Sequence, residues 1–225
     1  MSMNLLSVFG KGKSNKIMEY SESDYKIFEE YITTAFGSFS DVFHEIVTPP
    51  GDIHLDIIWI KPDEGHDYHT LITMNVGEYK MKVPRGVPNR MELVMRLPKD
   101  WDIKSSEEKY AWPFRLMKQL GRYPLYCESY LANGHTICSE DLEPYAKGLS
   151  FSNSIIYISE TIMGGPAFVE LSQRKKVVFY DVIPIYDEEL TYSFDESSEA
   201  LLSLMKDKGF LPRPIITTDR QNYCE

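Results

Sequence analysis

Strand-period runs come in clusters in this sequence, and the helical stretches fall between the clusters rather than after each strand. Val42 to Val47 is closed by Pro49-Pro50-Gly51. Ile53, Leu55 and Ile57 then alternate with His54, Asp56 and Ile58, the period of a half-buried strand, and Pro62 ends the run. Tyr68 to Val76 and Met91 to Leu97 follow, with Pro84, Gly86 and Pro88 supplying turn chemistry between them. In the last of these runs Met91, Leu93, Met95 and Leu97 share one face. A second cluster comprises Ser154 to Glu160, Ala167 to Leu171 and Val177 to Ile185. This order predicts an α+β fold with a mixed, largely antiparallel central sheet flanked by helices, not a doubly wound parallel sheet.

Four helices are expected. The first has Ser21 or Ser23 as its cap, an apolar stripe of Tyr25, Phe28, Ile32 and Ala35 or Phe36, and Gly37 as its stop. The second opens at Ser105, with Glu108 completing a capping box, and runs through Trp112, Leu116, Met117 and Leu120 to Gly121. Pro113 inside it predicts a kink or two short helices. Asp187-Glu188-Glu189-Leu190 begins a short third helix. The fourth runs from Ser197 to Lys208 on Leu201, Leu204 and Met205, with Gly209 at its end and Pro212 and Pro214 forbidding extension. The expected division is a flexible segment over 1–20, a single domain over 21–212 and a tail over 213–225, with no internal repeat or low-complexity run.

Composition narrows the class. At 225 residues, 43% hydrophobic and 13% aromatic, the chain has enough apolar surface to offset its conformational entropy, so global disorder is excluded. No run approaches the roughly 20 apolar residues of a membrane span. Residues Met1 to Phe9 lack a basic leader, and Lys11, Lys13 and Lys16 come after them, so no secretory signal is read. Cys127, Cys138 and Cys224 form no CxxC pair and are odd in number, which fits reduced thiols in a cytoplasm. With 34 acidic and 24 basic residues the net charge is −10, so a phosphate backbone would bind against the overall field and a basic protein is the easier partner.

Signals for catalysis are sparse. His54, Asp56, His66 and His69, with Asp67 between the last two, place imidazoles and carboxylates at spacings that can converge on a metal, although no HExxH occurs. The bland alternative is a set of loop residues and a carboxylate that pairs locally. Cys138 or Ser139 with His135 would be a hydrolytic arrangement, but a GxSxG elbow is absent. Gly164-Gly165-Pro166 lacks both phosphate-loop patterns and reads as a turn, and Arg174-Lys175-Lys176 reads as a solvated turn. Asp181, Asp187, Glu188, Glu189, Asp195, Glu196 and Glu199 accumulate in one stretch that either faces a cationic partner or simply keeps the protein soluble.

Several segments in order carry a resemblance: Asp52-Ile-His-Leu-Asp56-Ile-Ile-Trp-Ile-Lys-Pro62, Tyr68 to Gly77, Val83-Pro84 and Arg90 to Pro98, then Trp112-Pro113, Gly134-His135-Thr136 and Val182 to Leu190. Over about Phe43 to Lys208 the sequence resembles the suppressor-of-fused family. It departs at Asn75-Val76-Gly77, where the family more often has a Ser-Gly-Met-Ser type of segment. The resemblance implies an α+β fold with a central sheet, no known catalytic activity and function by protein binding; no cofactor is expected. In animals the family member sequesters zinc-finger transcription factors, and bacterial relatives are associated with toxin systems, as immunity proteins. The expectation is therefore a cytoplasmic antitoxin that neutralises a toxin encoded nearby, a basic nuclease being one fit. The competing readings are a metal-dependent enzyme on His54, Asp56, His66 and His69, and a general scaffold. Candidate partner-binding residues are Asp56, Tyr68, Trp101, Asp187, Glu188 and Glu189. Tyr68 has the alternative of opening a strand, Trp101 of packing under the following helix, and Asp56, if buried, of holding the sheet together.

Overall fold

The computed structural model describes residues 17–39, 41–142 and 149–225. Of the segment expected over 1–20, residues 1–16 lie outside that description. Ile17 forms a β-bridge to Tyr79, and the Met18 N–H donates to the Glu78 carbonyl at 2.9 Å.

Helix α1 (Glu22–Ala35) begins at Ser21. Its Oγ accepts from the Asp24 N–H at 3.2 Å while the Asp24 carboxylate accepts from the Ser21 N–H at 3.0 Å, so two otherwise orphaned donors are satisfied together. Gly37, at φ +111°, lies just beyond its end.

Among the described residues eight strands make one sheet: β1 (Asp41–Phe43), β2 (Asp56–Ile60), β3 (Tyr68–Met74), β4 (Met91–Pro98), β5 (Thr136–Ile137), β6 (Asn153–Ile158), β7 (Phe168–Leu171) and β8 (Lys175–Ile185). Their order is β1-β2-β3-β4-β8-β6-β5, with β7 also on β8. β4 and β8 run parallel, and the other pairings are antiparallel. This is the mixed, largely antiparallel arrangement that the clustering of strands predicts.

The sheet is covered on both faces. Helix α2 (Glu108–Tyr126) contributes Trp112, Leu116, Met117 and Leu120 to a core that takes Ile57 and Trp59 from β2. Helix α1 contributes Phe28 and Ile32 to a second core, which takes Ile58 and Ile60. All five residues of β2 are therefore buried, and the half-buried strand expected there is corrected: alternation of exposure survives only ahead of the strand, at Ile53, His54 and Leu55, because a helix dries each face of β2. In β4 the set Met91, Leu93, Met95 and Leu97 does share the α2 face, and Val94 lies on the other.

Three local expectations change. Of Val42 to Val47 only Val42 and Phe43 are in a strand, because the chain leaves β2 after Phe43 to reach the Asp56 carboxylate. The capping box at Ser105 does not form: Ser105 Oγ accepts instead from the Glu107 N–H at 3.1 Å, and the helix starts after Glu107. Helix α2 is one element that includes Pro113 and Pro124 and runs past Gly121. Gly121 is a contact rather than a stop. A Cβ there would lie 2.6 Å from Leu55 Cδ1 and 2.9 Å from Val76 Cγ2, so its missing side chain lets the helix approach the sheet.

After β8 come α3 (Asp187–Asp195) and α4 (Ser198–Asp207). Ser197 Oγ accepts from the Ala200 N–H at 3.1 Å, and Gly209 follows α4 at φ +77°. Residues 213–225, expected as a tail, carry buried Ile216, Arg220 and Asn222, and the Ile216 N–H donates to the Arg96 carbonyl at 2.8 Å.

Candidate functional site

The residues proposed to converge on a metal do not. Asp56 pairs with Met74 at one end of the β2–β3 hairpin, while Ile60 pairs with Thr70, the neighbour of His69, at the other. At about 3.3 Å per residue the two ends stand roughly 15 Å apart. Among the described residues no group of three or more His, Cys, Asp or Glu side chains is placed to hold a metal ion.

Each half has its own local chemistry. The buried Asp56 carboxylate accepts from the Glu45 N–H at 2.8 Å and faces His44 Nδ1 at 2.9 Å and His54 Nε2 at 3.2 Å. Beside it Arg122 binds Glu45 at 2.7 Å and Asp52 at 3.1 Å and donates to the Ile53 carbonyl at 3.0 Å. These contacts fix the connection between β1 and β2, whose Ile46 and Val47 are exposed. At the far end, buried His66 stacks on Tyr68 with ring centroids 5.0 Å apart, and the Asp63 carboxylate lies 3.7 Å from His66 Nδ1. Tyr68 opens β3. Trp101 is buried, donates its indole N–H to the Tyr110 carbonyl at 3.1 Å and meets Trp112 edge-on, so its ring lies under α2.

The hydrolytic arrangement is not assembled. His135 Nδ1 faces the Tyr130 carbonyl at 3.3 Å, burial raises the Cys138 thiol above its ordinary range, and the Ser139 N–H donates to Asn153. Gly164 and Gly165 form a turn at positive φ, and Lys175 is buried on Asp24 at 2.7 Å. That contact and hydrogen bonds from Ser172 and Ser21 hold the Asp24 carboxyl well below the usual range, against the upward push of its burial.

The acidic stretch divides by burial. Asp181 lies inside the sheet on Arg96 at 2.5 Å, with Arg96 also donating to the Glu160 carbonyl. Burial raises the Asp181 carboxyl, and Arg96 opposes that shift. Glu189 is buried on Arg220. Asp187, Glu188, Asp195, Glu196 and Glu199 are exposed. Asp187 accepts from Asn153 at 2.7 Å and Glu188 from Asn222 at 2.9 Å. Phe194 stands among them at 66% exposure. Sequence reading missed it, since one aromatic in an amphipathic helix looks like core, and only its offset from the buried positions Glu189 and Ser193 reveals an outward ring.

The family model "Suppressor of fused protein (SUFU)" matches residues 51–221. The structure of the Sufu–Fu complex matches with a TM-score of 0.65 at 15% identity, covering 91% of this chain and 93% of that one. A SUFU homologue from Neisseria gonorrhoeae FA 1090 matches with a TM-score of 0.62 at 13% identity, covering 90% and 97%. Drosophila Suppressor of Fused matches with a TM-score of 0.62 at 13% identity over 89% of this chain and 51% of its own. No curated protein matches in sequence. No helix among the described residues is long and apolar enough to cross a membrane.

Proposed function

The chain belongs to the suppressor of fused family, and from that premise we propose that it is a non-catalytic protein-binding module, acting as an immunity protein that binds and neutralises a toxin. The observation that carries the binding part is that the same fold stands in a Sufu–Fu complex. A homologue of this fold in Neisseria gonorrhoeae makes a bacterial setting a natural one for the toxin part.

The electrostatics support a basic partner. Net charge of −10 raises the encounter rate with a cationic surface, such as that of a nuclease, and aromatic anchors covered on binding would supply most of the affinity. Exposed Asp187 and Glu188 can meet such a partner as the protein stands.

The test is growth rescue. A host expresses each open reading frame adjacent to this gene, with and without this chain, and complexes are purified. Rescue together with a one-to-one complex is the expected result. Toxicity that this chain leaves unrelieved, with no neighbour product retained, removes the antitoxin reading.

A further inference from the structure

We propose that the Phe194 face of α3, with the helix end that follows it, is a docking site for an arginine-rich segment of a protein partner, the Phe194 ring serving as its stacking platform, Asp187 as a counter-charge on the same face and Asp195 and Glu196 as flanking charges at the end of the helix. This rests on the protein-binding reading and names the chemistry of what is bound.

The first observation is the ring itself. Phe194 is 66% exposed on a helix, and Asp187 and Thr191, seven and three residues earlier, fall on the same side and are exposed too. A phenyl ring left in water gains from being covered. Its electron-rich face attracts a guanidinium, which is planar and weakly hydrated enough to stack while its N–H groups reach carboxylates beside it.

The second is charge complementarity. Between Lys176 and Lys206 the chain has no Lys, Arg or His. Two acids in that interval are neutralised internally, Asp181 by Arg96 and Glu189 by Arg220. Among the described residues the exposed ones make no ion pair. The third is placement. Asp187 sits at the start of α3, where an anion is favourable, but Asp195 lies in its last turn, against the negative end of the helix dipole, and no basic residue is there. A bound cation relieves that repulsion. The same field disfavours nucleic acid and an anionic membrane.

Isothermal titration at low salt tests this with three peptides of alternating glycine and arginine, glycine and lysine, or glycine and glutamate. The arginine peptide is expected to bind, the lysine peptide several-fold more weakly and the glutamate peptide not at all. Phe194→Ala, which leaves the net charge unchanged and removes an exposed ring, is expected to lower affinity for the arginine peptide about fivefold, equivalent to about 1 kcal/mol. Circular dichroism checks that the variant is folded. Equal affinity in Phe194→Ala, equal binding of the lysine peptide, or no binding by the wild type overturns the proposal. Because no toxin is used, failure here leaves the growth-rescue test standing, and failure of rescue leaves this face standing.

Discussion

Trp59 donates its indole N–H to Nδ1 of His69 at 3.0 Å. An indole can only donate, so Nδ1 carries no proton, and the remaining proton sits on Nε2, which faces the Lys99 carbonyl at 3.2 Å. The imidazole is thereby fixed as one neutral tautomer with both nitrogens engaged in hydrogen bonds.

The pH dependence follows from that pair. Burial holds the His69 pKa below its ordinary value, with the Lys99 carbonyl and Asp100 pulling the other way. The unfolded chain takes up a proton near pH 6.5 while the native ring stays neutral, so this residue's contribution is present above that pH and is lost as pH falls. In urea unfolding at pH 7.5 and 5.5, wild type should lose stability relative to His69→Gln, at up to about 1.4 kcal/mol per pH unit. A difference that does not change with pH would falsify the neutral assignment.

Glu92 gives the opposite sign. Its carboxyl is fully buried and pushed up to about 8 by that burial, although Thr73 Oγ1 at 2.6 Å and the Gly77 N–H at 2.9 Å partly offset the shift. Stability from a raised carboxyl is complete below the unfolded value of about 4.3 and is lost as pH rises toward 8. Glu92→Gln keeps the shape and cannot ionise. Between pH 5 and 8 wild type should weaken relative to this variant, again at up to about 1.4 kcal/mol per pH unit. Parallel pH curves for the two proteins would show that Glu92 ionises as freely folded as unfolded.

At Gly121 helix propensity and packing disagree. Ala in a helix interior is favoured over Gly by about 1 kcal/mol. The new methyl would meet Leu55 Cδ1 and Val76 Cγ2 at once, both residues are buried, and Val76 is stiff at χ1. Overpacking of this kind costs about 1–3 kcal/mol, so Gly121→Ala should be net destabilising and Gly121→Val more so. A higher melting temperature for the alanine variant would show that α2 can retreat from the sheet at little cost.

The legible part of this fold was whatever a short window determines. Strand runs, the Ser21 cap and the stops at Gly37 and Gly209 each depend on a few adjacent residues. What escaped depends on distant partners. Gly121 reads as a helix end until Leu55 and Val76 are placed against it. Ile58 and Ile60 reveal a second covered face only once α1 lies on them. In the acidic stretch Glu189 and Phe194 look alike to a sequence window, yet one is sealed by an arginine thirty-one residues later and the other faces water.

That arginine carries the last prediction. Arg220 binds both oxygens of Glu189, one of them at 2.8 Å, and donates to the Pro184 carbonyl at 2.8 Å and the Gln221 carbonyl at 2.8 Å. The rings of Tyr186, Phe210 and Tyr223 lie 4.9, 5.5 and 5.6 Å from its guanidinium carbon. Glu189 also accepts from the Tyr186 N–H at 3.0 Å, at the start of α3, and from the Tyr223 N–H at 3.1 Å. Removing one partner leaves the other charged and dry, which costs about 3–5 kcal/mol, whereas removing both leaves no stranded charge. Arg220→Ala and Glu189→Leu should therefore each destabilise strongly, and Glu189→Leu with Arg220→Met should cost much less than the sum of the two single changes. Chemical denaturation of the four proteins measures the coupling. If the two single costs simply add, residues 213–225 are held by their apolar contacts and the ion pair contributes nothing of its own.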